Sequence, residues 1–183
     1  TVSQHISWTD TKGKRDALRK LLRTEDVKNA VIFCNRKRDI GVLIRSLTRH
    51  GFDAVALHGD MSQSARLEAL QSFKDGEVPL LIASDVAARG LDIAGLSHVF
   101  NFDVPSSAED YVHRIGRTGR AGKSGRAFTI AAGKDDQRYV IAIEKLIGKS
   151  IPLLTKPSET DKMADNNKAS TKKSRSRNRE DKA

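Results

Sequence analysis

Short apolar, β-branched runs recur along the chain, each followed by a longer stretch in which apolar residues return every three or four positions. The short runs predict strands at Val31–Cys34, Ala54–Leu57, Leu80–Ala83, His98–Phe102 and Ala127–Ala131, with a further one at Val2–Trp8. The longer stretches predict helices. Over Arg36–His50, Ile40, Leu43, Ile44 and Leu47 fall at i, i+3, i+4 and i+7 and make one buried face, with Asn35 as N-cap and Gly51 as stop. Other helices are predicted at Lys14–Arg23, Gln63–Lys74, Ala108–Arg114 and Asp136–Ile147, the last turning Tyr139, Val140, Ile143, Leu146 and Ile147 inward. Strand and helix alternating in this way build βαβ units, so the expected class is α/β with a mainly parallel sheet between helical layers.

The apolar periodicity stops near Lys156, and the remainder is polar, repetitive and free of large hydrophobes after Met163. Residues 1–155 therefore read as one folded domain and residues 156–183 as a disordered basic tail. The tail carries nine basic and five acidic residues, leaving +6 of the total +10 on the folded part. A surplus of this size points to a polyanionic partner, nucleic acid before an anionic membrane surface.

Cys34 is the single cysteine, which excludes an internal disulfide framework and a cysteine-built zinc site and fits a reducing, cytoplasmic compartment. It sits in the apolar run AVIFC and reads as inert core. No apolar run reaches the 18 residues a spanning helix needs and no signal peptide opens the chain, so the protein reads as soluble, and nucleic acid rather than a membrane is the expected partner.

In an open α/β sheet, ligands bind at the carboxyl ends of the strands. The polar clusters fall there: Asn35, Arg36 and Lys37 after one strand, His58, Gly59 and Asp60 after the next, Ser84 and Asp85 after the third. Helix capping alone accounts for Asn35, Ser62 and Asp85, but not for basic residues gathering on the same edge. Arg66 lies near the start of its helix, on a different face from Leu67, Leu70 and Phe73, either solvated or holding a phosphate jointly with the first-turn N–H groups.

The stretch HRIGRTGRAGKSG, His113–Gly125, ends in Gly-Lys-Ser but is not a P-loop, because Arg117 occupies the place where the loop's first glycine would stand. Ser106 and Glu109 form a capping-box pair that starts a helix ending at Gly116, which leaves Arg117 and Arg120 in a glycine-punctuated loop. Planar, permanently charged guanidiniums there suit the spread charge of a transferring phosphoryl group. Such arginines need a phosphate cradle from elsewhere, since this chain has no P-loop.

VIFCNRK, LHGDMSQSAR, LIASDVAARGLDI and HRIGRTGR, in this order and spacing, resemble the second RecA-like lobe of a DEAD-box ATP-dependent RNA helicase, over residues 1–150. Related branches usually open the last motif with Gln rather than His, which favours DEAD-box over DEAH-box or RecQ-like relatives. The short basic tail resembles bacterial members. The resemblance implies a RecA-like three-layer fold. It also implies that Arg117 and Arg120 reach the γ-phosphate of ATP held on a first lobe, Arg117 as the leading arginine finger. Asp92 would accept a hydrogen bond from the ribose with Gly90 beside it, and His113 and Arg114 would couple nucleotide state to the facing lobe. Arg66, Ser84 and Asn35 would hold the backbone of single-stranded RNA. Ser84 stands where the family usually has Thr, and the hydroxyl survives. Mg²⁺ would accompany ATP on ligands of the first lobe, and this chain alone would be catalytically silent. The alternative is a stand-alone RNA-binding or regulatory module without ATPase activity.

Overall fold

A computed structural model describes residues 1–154, and the expected tail at 156–183 lies outside the described residues. Thr1–Leu153 form one compact unit. Six strands, β1 (Val2–Trp8), β2 (Ala30–Phe33), β3 (Ala54–Leu57), β4 (Leu80–Ala83), β5 (His98–Asn101) and β6 (Gly125–Ala131), make a single sheet in the order β1-β6-β5-β2-β4-β3. Every pairing is parallel, so all carboxyl ends share one edge. The α-helices are α1 (Lys14–Thr24), α2 (Lys37–Arg49), α3 (Gln63–Lys74), α4 (Asp85–Ala88), α5 (Ala108–Ile115) and α6 (Gly133–Ile147).

Side chains alternate across a strand, and the alternation divides the core into two layers. Val31, Phe33, Leu81, Ala83 and Val99 pack with Ala69 and Phe73 of α3 and with Ala87 and Ala88 of α4. On the same side, Ala127 and Ala131 pack with Tyr111 and Ile115 of α5 and Val140 and Ile143 of α6. The intervening residues Ile32, Ile82, Phe100 and Phe128 turn to the opposite face, where α1 buries Leu18 and Leu22 and α2 buries Ile40, Leu43 and Leu47. Rings of His5, Phe128 and Phe100 stack across β1, β6 and β5 at 5.1 and 5.7 Å.

Several predicted boundaries move, each for a local reason. β2 lies one residue earlier than its apolar run, because Cys34 leaves the ladder while its N–H still reaches the Ala83 carbonyl. β6 begins at Gly125, where pairing with Val2 and Ser3 continues below the apolar run. The N-cap of α2 is Arg36, not Asn35, whose side chain is committed to Arg114 and Val104. Ser84, not Asp85, caps the short α4, which the hydrophobic pattern did not predict, and the Asp85 carboxylate is spent on Arg114. The capping box expected of Ser106 and Glu109 does not form: Ser107 is the N-cap of α5, with no side-chain capping bond. Leu67, grouped with Leu70 and Phe73 on one face of α3, and Leu146, expected inward, are 56% and 52% exposed, because Ala69 with Phe73 and Val140 with Ile143 already fill the inner faces of α3 and α6. Ser62 caps α3 as expected, accepting from the Ala65 N–H at 3.2 Å.

Candidate functional site

The carboxyl edge gathers the loops after β2, β4 and β5 around one side chain, Arg114, in the last turn of α5. It is 1% exposed and lies over the Phe33 ring at 5.1 Å. All five guanidinium donors are used. Nε and Nη2 donate to the Asp85 carboxylate at 2.7 and 2.6 Å, and Nη2 also donates to Asn35 Oδ1 at 2.7 Å. Nη1 donates to the Asp103 carbonyl at 2.8 Å and to Asn101 Oδ1 at 3.4 Å. Asn101 is itself fully buried and donates to Thr129 Oγ1. Arg114 therefore knits four elements together and has no donor left for a ligand.

Arg117, one residue beyond the C-cap Gly116, is held differently. Nη1 donates to the Leu91 and Ile93 carbonyls at 2.7 and 3.1 Å, and Nη2 to the Ala88 carbonyl at 3.0 Å. That grip fixes the guanidinium against the loop after α4. It leaves Nε–H and one Nη2 proton without an acceptor among the described residues. Its pKa is lowered by partial burial and by the neighbouring Arg120, with Asp92 acting in the opposite direction. Two guanidiniums close enough to disfavour one another's charge make a place where an anion is welcome. Arg120 is exposed, its Nε donating to the Gly116 carbonyl at 2.7 Å.

A cleft of about 110 Å³ opens beside these groups, lined by Phe33, Asp85, Ala88, Arg89, Gly90, Asp110, His113, Arg114 and Arg117. Gly90 takes φ +75°, a left-handed conformation that turns the chain from α4 into the carbonyl-rich loop gripping Arg117. Of the residues predicted from sequence, the fold brings Asn35, Ser84, Gly90, His113, Arg114 and Arg117 to this edge, with exposed Asp92 near enough to act on Arg117. Arg66, in the first turn of α3, does not line the cleft; it is half-buried and without a side-chain partner among the described residues. Ser84 uses its hydroxyl oxygen to accept from Ala87 N–H at 3.2 Å, so its own proton is available to an acceptor outside.

Sequence reasoning missed Asn101, Asp103 and Thr118 and saw Asp85 only as a cap. Asp103 accepts from Lys14 Nζ at 2.5 Å and from Asn35 N–H at 2.8 Å. Thr118 is buried and donates to the Leu96 carbonyl, while Leu96 N–H donates to the Arg117 carbonyl at 3.0 Å. The only signal for the first two was polar residues closing an apolar strand, in FNFD, Phe100–Asp103.

Comparison with known proteins gives the chain a family. Residues 13–122 match the model of the helicase conserved C-terminal domain. The chain is 39% identical over 172 residues to the ATP-dependent RNA helicase CshA of Listeria monocytogenes, covering 94% of this chain and 33% of CshA. It belongs to the DEAD-box helicases, as their C-terminal RecA-like domain. Among solved structures, the E. coli DEAD-box protein SrmB, bound to the regulator of ribonuclease activity A, superposes with a TM-score of 0.81 at 33% identity, covering 86% of this chain and 93% of that one. S. cerevisiae Dbp5 bound to RNA and ADP BeF3 superposes with a TM-score of 0.79 at 29% identity, covering 90% of this chain and 45% of that one. The DEAD-box domain seen here spans about a third of the length of the curated relatives it matches. Among the described residues, no helix is long and apolar enough to cross a membrane.

Proposed function

We propose that this DEAD-box domain works as the second lobe of a cytoplasmic ATP-dependent RNA helicase, completing an ATP site carried by a first lobe and holding one RNA strand by its backbone. The observation that carries the reading is the triple carbonyl grip on Arg117, which fixes a guanidinium at the cleft rim with two donors still to offer. This donor set fits the γ-phosphate of ATP. Nε–H and an Nη2 proton form a planar fork suited to two phosphate oxygens, and exposed Arg120 adds a second guanidinium close by. Asp92, with Gly90 before it, would meet the ribose. ATP with Mg²⁺, when bound, supplies a phosphoanhydride whose cleavage is favoured by positive charge placed on the transferring group.

The work of this chain is positioning. Lobe closure would bring Arg117 and Arg120 to the phosphate and exclude water from the cleft. Arg114 would couple the two sites as a positioning residue, since it joins Asn35 and the Ser84–Asp85 corner, on the RNA side, to the helix that leads into Arg117. His113, exposed beside it, would face the first lobe. The Ser84 hydroxyl, Arg66 and, through its backbone corner, Asn35 would contact RNA phosphates, giving binding that carries little sequence information. Residues 156–183 would add salt-sensitive attraction to RNA.

The test is RNA-stimulated ATP hydrolysis by this chain joined behind a DEAD-box first lobe. Arg117→Ala is expected to lower the rate on the order of a thousandfold with RNA binding retained. An unchanged rate in an active fusion would remove Arg117 from the phosphate. RNA binding with no ATPase under any pairing would instead support the stand-alone module.

A further inference from the structure

The face of the sheet covered by α1 and α2 carries a charge that the cleft does not use. α1 holds five basic residues against Asp16 alone, and α2 holds four against Asp39 alone. Together they net +7, more than the +6 of residues 1–155 as a whole. On the other side of the sheet, α3, α5 and α6 together net to zero.

The two helices lie side by side, with Arg19 Nη1 donating to Ser46 Oγ at 3.0 Å and the Arg23 guanidinium 5.4 Å from the Phe52 ring just beyond α2. Arg15, Arg19 and Arg23 recur at i, i+4 and i+8 on one stripe of α1, and Arg38, Arg45 and Arg49 at i, i+7 and i+11 on one stripe of α2. Successive arginines four residues apart are separated by about 6 Å along the axis. Arg15, Lys20, Arg23, Arg38, Arg45 and Arg49 are exposed, and none belongs to an ion pair among the described residues. Packing like charges without counter-charges is unfavourable in the free protein, and a polyanion laid along them removes that cost.

We propose that α1 and α2 form a second, sequence-independent surface for the phosphate backbone of RNA, receiving the strand beyond the carboxyl edge. Two features select nucleic acid over an acidic protein. Five of the six free cations are arginines, whose forks match phosphate. In addition, α2 starts at the sheet's carboxyl edge, so Arg38 in its first turn continues the surface from Asn35 and Lys37. The inference rests on the RNA reading of that edge and extends it across the neighbouring face.

The test is binding of a long labelled poly(U) RNA to the full chain, read as affinity against salt between about 50 and 200 mM. One variant combines Arg15→Gln, Arg45→Gln and Arg49→Gln. A control combines Lys134→Gln, Arg138→Gln and Lys149→Gln, removing the same charge from exposed positions at α6 and just beyond its end. An edge variant combines Arg66→Ala with Ser84→Ala. The α1/α2 variant is expected to bind about tenfold more weakly at low salt and to lose about 2 from the log–log salt slope, near 0.7 for each lost contact with a single strand. The α6 control should keep the parent slope. Equal losses in both, or no loss in the first, overturn the proposal. If the edge variant alone weakens binding, the RNA reading stands and this surface does not. Unchanged RNA binding with lost binding of poly-glutamate reassigns the face to an acidic protein and overturns the proposal. A parent that binds no RNA removes both.

Discussion

Breaking the Arg114–Asp85 pair tests the architecture of the site most directly. Asp85→Asn keeps the shape of the side chain and removes the counter-charge, leaving a guanidinium that is 1% exposed with neutral acceptors only. Removing one partner of a buried pair costs about 3–5 kcal/mol, mostly because the other charge stays buried without compensation. Arg114→Met leaves Asp85 as the orphan, and that carboxylate, 25% exposed, recovers part of its hydration. The Arg114 change also strands Asn35 Oδ1, Asn101 Oδ1 and the Asp103 carbonyl, at about 1–3 kcal/mol for each acceptor that water cannot reach. Both single changes should therefore lower stability by several kcal/mol, and the midpoint of thermal unfolding by about 10 °C for a domain of this size. The double variant should cost less than the sum, with a coupling of about 1–3 kcal/mol, because the second change removes an orphan that the first created. Urea unfolding of the four proteins, followed by circular dichroism, measures the cycle. Additive single effects, or an Asp85→Asn cost below about 1 kcal/mol, would refute the claim that Arg114 is a buried hub and leave the pair as a surface contact.

A Cβ at Gly125 would overlap Thr118 Oγ1 and lie 2.5 Å from the Gly119 amide, whereas one at Gly90 meets nothing within 4 Å and suffers only from φ +75°. Gly125→Ala should thus cost more than about 2 kcal/mol and Gly90→Ala about 1 kcal/mol, compared by chemical denaturation; equal costs would contradict the close approach of β6 to the Arg117–Gly119 loop. Burial pushes Glu25 up, but hydrogen bonds from Arg126 and His98 outweigh it and lower its pKa below the ordinary 4.5. Its contribution is therefore present above that value and is lost as pH falls through the lower folded value, so Glu25→Gln should destabilise near neutral pH and converge with the parent in acid. A gap that widened in acid would reverse the sign of the assignment. Burial likewise pushes the Cys34 thiol up, and the side chain is fully enclosed, so a thiol reagent should label it only at the rate of unfolding.

The periodicity of the chain determined the α/β class, the six strands and the five longer helices, because burial of one face or both faces of an element writes a period into its own residues. Short α4 escaped, since four residues are too few to show a period. The motif loops, with Arg117, Gly90 and Ser84 in them, were also legible from sequence, each motif being local. The partners of these residues were not. Asn35 and Asp85 looked like caps, and only the parallel order β5-β2-β4 sets the carboxyl ends of three strands, distant in sequence, side by side around Arg114. The basic face has the same origin: the individual arginines can be counted in the sequence, but α1 and α2 meet on one side of the sheet only because right-handed crossovers and strand order put them there. Short-range physics chose the elements, and long-range packing, which no local pattern encodes, chose which charges and hydrogen-bonding groups would face one another.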